Sequence, residues 1–294
     1  MDYILSCCST ADLSKKRFTK RNIQYLCFHF QLGGKEYLDD LGQSVYPEEL
    51  YRRMLAGEDV TTFPVKTEEY ETFFEKYLKE GKDILHVTLS SGISKSYSFA
   101  CNARDKLLKR YPDRTIYIVD SLGASSGYGL LMETLADLRD SGMEIDDLYQ
   151  WAEENKLRLH HWFFSSDLTF YIKGGRISKT AGLVSSVMEI CPLLNMNDKG
   201  ELIPFEMVHT KKKVIKRIVE QMVLCAQDGP NYSGKCYLCH SVCPEDARAV
   251  ASLVEKTFKK LDGKVEIFPI GVTIGSHTGP GTVALFFFGC KRNS

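Results

Sequence analysis

The sequence predicts an α/β protein in which an N-terminal parallel-sheet α/β domain is followed by a C-terminal α+β domain. Three observations lead there. From about residue 47 to 140, β-branched apolar runs alternate with amphipathic helical stretches across short polar loops, the pattern of a parallel sheet covered by helices. Beyond about residue 157, hairpin signals mix with helices. The 294 residues exceed the ~150 of one typical domain. A composition of 44% hydrophobic and 26% charged residues is that of a globular chain with a sizeable core. The domain boundary is placed near Leu157, giving domains 1–156 and 157–294.

Taken in order, Tyr3–Ser6 is a short apolar run. Pro47 to Ala56 reads as a helix, with Pro first, Glu48 and Glu49 in the first turn and Gly57 after it. Thr67 is placed to cap a helix whose Tyr70, Phe73, Phe74, Tyr77 and Leu78 form one stripe, ended by Gly81. Ile84–Leu89 is a strand broken by Ser90-Ser-Gly92. A helix with Ile93, Tyr97, Ala100, Cys101, Leu107 and Leu108 on one face follows and ends before Pro112. Thr115–Val119 is a strand, then Asp120-Ser-Leu-Gly123 leads into a helix to about Asp140.

Leu157–Phe164 reads as an aromatic strand and Lys179–Glu189 as a helix interrupted by Gly182. Leu193–Met196 and Leu202–Met207 flank Asn197-Asp-Lys-Gly200 as a hairpin. Helix 210–226, strand 235–241, helix 245–260 and strands 264–270 and 282–288 complete the chain.

Thirty-eight basic residues balance thirty-eight acidic ones, so no global field attracts a phosphate backbone, which argues against nucleic acid as a partner. The start, Met1-Asp-Tyr-Ile-Leu-Ser, lacks a basic stretch before an apolar one, and Val283–Phe288 is far too short to span a bilayer. The expectation is a cytoplasmic protein without an integral membrane segment, its ten cysteines reduced.

Four polar islands carry the candidate chemistry. Thr61-Thr-Phe-Pro64 precedes a helix, where hydroxyls and free N–H groups suit an anion; a capped loop is the plainer reading. Ser90-Ser-Gly-Ile-Ser94 joins a strand to a helix, and in open α/β sheets ligands sit at such carboxyl ends of strands, as does Asp120-Ser121. A simple turn would look the same. Lys173-Gly-Gly-Arg-Ile-Ser178 offers N–H groups beside a guanidinium fork, or a flexible loop. Gly275-Ser-His-Thr-Gly-Pro-Gly281 can bend sharply and present His277 to a cavity, or simply join two strands.

Two other patterns compete. Gly123-Ala-Ser-Ser-Gly127 fits a nucleophile elbow, so Ser125 is the alternative: a serine acyl esterase or thioesterase with His277 downstream. Cys236-Tyr-Leu-Cys239-His240, with Cys243, has a haem- or metal-like spacing. On a strand, residues 236 and 239 point to opposite faces, so no metal and no cofactor is expected.

In order and together, the islands resemble the DegV family of bacterial fatty-acid-binding proteins over nearly the whole chain. The resemblance lies in Cys8-Ser-Thr-Ala-Asp12-Leu13, Thr61–Pro64, Ser90–Tyr97, Asp120-Ser121, Gly174-Gly175-Arg176-Ile177 and Gly275–Gly281. Cys8 stands where the family usually has Asp, Phe63 replaces a polar residue, and Lys95 and Ser96 replace Gly-Thr, a bulkier and more basic turn. The resemblance implies one long-chain fatty acid in a tunnel between the domains. It implies no reaction of the protein's own. The family's carboxylate is held by a Thr, a Ser, the Gly-Gly-Arg arginine and the Gly-x-His histidine. Here these are Thr61 and Ser91, with Thr62 and Ser90 as neighbours, Arg176 and His277, supported by Gly92, Ser94, Gly174, Gly175, Gly275 and Gly279. In some members a separate ATP-dependent fatty acid kinase phosphorylates the presented carboxylate for phospholipid synthesis. A third reading is a regulatory module that senses acyl chains and binds a protein partner without a kinase.

Overall fold

The computed structural model describes residues 3–178 and 190–293. The chain begins with β1 (Tyr3–Cys8), α1 (Lys15–Lys20), β2 (Ile23–Leu26), β3 (His29–Leu32), β4 (Lys35–Leu38), α2 (Pro47–Leu55) and β5 (Val60–Phe63). It continues through α3 (Thr67–Lys79), β6 (Asp83–Thr88), α4 (Ser96–Arg110), β7 (Ile116–Asp120), α5 (Ser125–Asp140) and α6 (Ile145–Asn155). Then come β8 (Leu159–Ser165), α7 (Thr169–Lys173), β9 (Ile190–Met196), β10 (Leu202–His209), α8 (Lys211–Cys225) and β11 (Tyr237–His240). The last elements are α9 (Pro244–Thr257), β12 (Glu266–Pro269), α10 (Val272–Thr278) and β13 (Thr282–Phe288). The helix expected over Lys179–Glu189 lies outside the described residues.

Three sheets organise these elements. The first is parallel, in the order β2-β1-β6-β7. The second, β10-β9-β8-β13-β11-β12, is antiparallel apart from the β11–β12 pair. The parallel sheet lies before residue 157 and the six-stranded sheet after it. The α/β expectation with a parallel first part and a mixed second part therefore holds.

Helix α5 joins the two. Its sequence, Ser-Ser-Gly-Tyr-Gly-Leu-Leu-Met, has small and apolar residues all round and is buried over most of its length, as a helix between layers requires. The Tyr128 hydroxyl, on this helix, accepts from the Cys8 N–H at 2.8 Å and donates to the Val87 carbonyl at 3.1 Å, both in the parallel sheet. Tyr237 in the six-stranded sheet donates to Glu133 of the same helix. One apolar cluster runs from Leu5, Val87 and Val119 through Leu131 to Phe163, Ala284 and Phe286.

A third, antiparallel sheet, β4-β3-β5, was not foreseen. Its strands are four residues long, and β4 (Lys-Glu-Tyr-Leu) is largely exposed, so periodicity is weak. Thr61 and Thr62, expected in a loop at a helix start, lie on β5 instead. Helix α3 is preceded by Lys66, whose N–H donates to Glu69 at 2.9 Å, and Thr67 is its first residue rather than its cap. The helix placed from Ile93 begins only at Ser96, because Ser90–Ser94 form a turn with Ile93 and Ser94 N–H both donating to the Ser90 carbonyl.

Candidate functional site

A cavity lies where the sheets meet, the kind of concave, mostly apolar place where small molecules bind. Its walls are mostly apolar. His161 and Phe163 of β8 and Thr282, Ala284 and Phe286 of β13 line it together. They are cross-strand partners on one face, Ala284 opposite Phe163 and Phe286 opposite His161. Leu89, Ile93, Met196, Ile270 and Ile274 contribute from other elements. That two-residue alternation is present in the sequence, but only the pairing shows which face it lines.

At one part of the wall stand Thr62, Ser94, Arg176 and His277. Helix α10 packs against β5, α2 and α7, which brings four distant segments together. The Thr62 Oγ1 and His277 Nε2 hydrogen-bond at 2.7 Å. Gly175, at φ +68°, reverses the chain after α7, so the Arg176 and Ile177 N–H groups both return to the Tyr171 carbonyl. The Arg176 guanidinium then donates to the Gly174 carbonyl at 2.6 Å and the Ile93 carbonyl at 2.9 Å. These bonds link the Gly-Gly-Arg loop to the Ser90–Ser94 loop. A Cβ on Gly174 would lie 2.5 Å from His277 Nδ1, so only glycine allows this approach.

Arg176 forms no ion pair with any carboxylate among the described residues. Burial holds its basicity below the usual arginine value. Burial first, and Arg176 second, lower the His277 pKa to about 4, so the imidazole is neutral. His277 Nδ1 is buried without a hydrogen-bond partner among the described residues. A half-buried guanidinium beside a neutral imidazole and a hydroxyl is complementary to an anion.

The other expected contacts are placed differently. Pairing on β5 sets Thr62 opposite buried Phe30 and Thr61 opposite Gln31, so Thr61 faces solvent, away from the cavity. Ser90 is buried, but its hydroxyl donates to the Gly200 carbonyl at 2.8 Å. Ser91 is exposed, and its N–H donates to Asp120 at 3.0 Å. Of the serine island it is Ser94 that reaches the cavity. His277 sits in the last turn of α10 rather than in an open turn, with Gly275 against Tyr51 and Gly279 against Phe170. Cys8 lies outside the cavity in a buried cluster, 3.1 Å from the Tyr70 hydroxyl.

Gly92 wedges the serine loop against the Asn197–Gly200 hairpin, where a Cβ would lie 2.6 Å from the carbonyl oxygens of Gly200 and Lys199. Backbone atoms cannot step aside cheaply. Gly92→Ala is expected to destabilise by about 1–3 kcal/mol, read from the midpoint of denaturant unfolding; an unchanged midpoint contradicts the tight seam.

Ser125 has the positive φ (53°) of a nucleophile elbow but not its partner. Its hydroxyl donates to Asp12 at 2.5 Å, where burial raises the Asp12 pKa well above the usual range. The His277 Nε2 is engaged by Thr62, and the His161 Nε2 accepts from the Ala124 N–H at 3.1 Å. Cys236 and Cys239 are buried in separate apolar clusters on opposite sides of the sheet. No group of three or more His, Cys, Asp or Glu among the described residues could hold a metal. No described helix is long and apolar enough to cross a membrane.

The family model for "uncharacterised protein, DegV family" matches residues 8–289. A DegV domain-containing protein of Clostridium perfringens is 36% identical over 96% of this chain and 95% of its own. A Thermotoga maritima protein whose crystal structure is reported to reveal fatty acid binding function is 26% identical, with TM-score 0.79 over 98% of this chain and 99% of that one. The fatty acid kinase B3 protein of Streptococcus pneumoniae, loaded with linoleic acid, shares the fold at 19% identity, with TM-score 0.83 over 98% of this chain and 99% of that one. With a family match across almost its full length and a relative above 30% identity, this chain belongs to the DegV family.

Proposed function

We propose that the protein binds one long-chain fatty acid in this cavity, its carboxylate at Thr62, Arg176 and His277 and its hydrocarbon chain along the β8–β13 face. The observation that carries this is the half-buried Arg176 guanidinium without a carboxylate partner among the described residues, at one part of an otherwise apolar cavity. Arg176 neutralises the anion, and the Thr62–His277 pair donates one hydrogen bond to it: from the Thr62 hydroxyl when Nε2–H donates to Thr62, or from His277 Nδ1–H when Thr62 donates to Nε2. Ser94 and the loops of Gly92, Gly174 and Gly175 position these groups, and Gly275 and Gly279 seat α10. At ~0.8 kcal/mol per methylene, a 14-methylene chain gains roughly 11 kcal/mol gross from an apolar wall, of which association removes a large part. The carboxylate needs partners, since burying an unpaired ion is costly. The reported fatty acid binding of the Thermotoga maritima relative supports the same reading.

The finer reading is a cytoplasmic carrier of two domains, 1–156 and 157–294, that presents the carboxylate to a separate ATP-dependent kinase for acyl-phosphate formation and phospholipid synthesis. Its support is the family resemblance. Binding rather than catalysis fits the Ser125 geometry, where the hydroxyl points to a carboxyl and not to an imidazole.

Mass spectrometry of the purified protein, native and then solvent-extracted, tests the reading. The expected result is a fatty acid near one per chain, or uptake of added oleate or palmitate to that ratio. A bare protein that takes up neither contradicts it.

A further inference from the structure

Outside the cavity, one pair of cysteines is joined through the backbone. Ala226 and Gly289 form an isolated antiparallel bridge. It is bracketed by the Cys290 N–H donating to the Cys225 carbonyl at 2.9 Å and the Gln227 N–H donating to the Phe288 carbonyl at 3.1 Å. This pattern sets Cys225, at the end of α8, across from Cys290, the two joined by one backbone hydrogen bond. Cys290 is also the charged neighbour that, after burial, raises the Cys225 thiol pKa to about 11. A Cβ on Gly289 would collide with the Cys225 carbonyl, so the chains are held close by backbone geometry.

The surroundings suit oxidation. Cys290 is the one exposed cysteine of the ten, and Cys225 is half-buried beneath it. The His160 Nε2–H donates to the Cys290 carbonyl at 2.8 Å, and the Cys290 Sγ lies 3.8 Å from the same nitrogen.

We propose that Cys225 and Cys290 form a reversible oxidative modification site, converted to a disulfide by peroxide. The Cys290 thiolate attacks one oxygen of hydrogen peroxide, the O–O bond breaks, and the leaving hydroxide takes a proton to become water. The Cys225 sulfur then attacks the Cys290 sulfenic sulfur, the S–O bond breaks, and the departing hydroxide takes the Cys225 proton. Two thiols and one peroxide yield one disulfide and two waters, and a dithiol reverses it by exchange. The bond would tie the end of α8 to the tail carrying Arg292. That guanidinium donates to the carbonyls of Leu122, Met196 and Asn197, and Met196 lines the cavity. The site stands independently of what the cavity binds.

The test is oxidation of the full-length protein with equimolar hydrogen peroxide, then alkylation under denaturing conditions and peptide mapping. The expected result is a Cys225–Cys290 cross-linked peptide with the other eight cysteines alkylated, ten alkylated again after dithiothreitol, and dimedone capture of Cys290 in Cys225→Ser. Oxidation of Cys290 to the sulfinic acid with Cys225 still alkylated, a cross-link between two chains, or cross-links among other pairs overturns the proposal.

Discussion

Arg176→Ala is expected to weaken fatty-acid retention roughly 10- to 100-fold, the equivalent of one charge-assisted hydrogen bond of ~1.5–3 kcal/mol. The guanidinium spends two bonds on the Gly174 and Ile93 carbonyls. Its remaining donors are the only described positive charge among the cavity-lining residues, since His277 is neutral. Without it the carboxylate must be buried unpaired or take up a proton. Cys239→Ala is the matched control: Cys239 also lines the cavity, but as a thiol that burial keeps protonated by raising its pKa and whose sulfur accepts from Ser125 at 3.3 Å. Retention in that variant should stay within a few-fold of the parent. Displacement of a fluorescent fatty acid measures both, and equal losses in the two variants contradict the assignment. Arg176→Lys separates charge from shape, because an ammonium supplies the charge without the fork that reaches both Ile93 and an anion.

His277 should make the empty protein sensitive to mild acid. Its folded-state pKa of about 4 lies below the ordinary value of 6.5. Between those values the unfolded chain binds a proton that the folded chain does not, so stability falls as pH falls. The contribution is whole above about pH 6.5 and is lost by about pH 4. The depression corresponds to ~3 kcal/mol at 1.36 kcal/mol per pH unit, and partial solvent exposure reduces the expected loss to about 1–3 kcal/mol. His86, His160 and His161 pull the same way, and the buried Asp12 and Asp39, with raised pKa values, pull the opposite way. Comparison with His277→Gln cancels those shared terms and retains a partner for Thr62. Urea unfolding of both proteins from pH 7 to 4 should show the parent losing ground to the variant. Bound fatty acid should shrink that difference, because a carboxylate raises the His277 pKa back toward 6.5. Parallel profiles contradict the role given to His277.

The alternation of strand and helix was legible because each element has its own local signal. The stripe of Tyr70, Phe74 and Tyr77 marks α3, and the β-branched run before Asp120 marks β7. The β4-β3-β5 sheet was not, because four-residue strands with one exposed edge carry too little periodicity to read. That omission decided the threonines. In a loop, Thr61 and Thr62 are equivalent; on a strand, a step of one residue turns Thr61 to solvent and Thr62 to His277. Arg176 and His277 were legible as motifs, whereas their proximity depends on α10 packing between α2, β5 and α7. The glycines around His277 looked like turn residues. Gly275 is instead a helix position at which Tyr51 leaves no room for a Cβ, a tertiary reason no local pattern contains. Ser90 and Ser91 share the composition of an anion loop but spend their polar groups on the Gly200 carbonyl and Asp120.

The central claim is that the carboxylate end of a fatty acid meets Thr62, Arg176 and His277. A crystal structure of the protein loaded with palmitate tests it most directly. The account requires the carboxylate oxygens within hydrogen-bonding distance of the Arg176 guanidinium and of Thr62 or His277, with the methylenes against Phe163 and Phe286. A carboxylate placed instead beside Ser125 and Asp12, or a chain bound outside this cavity, would contradict it.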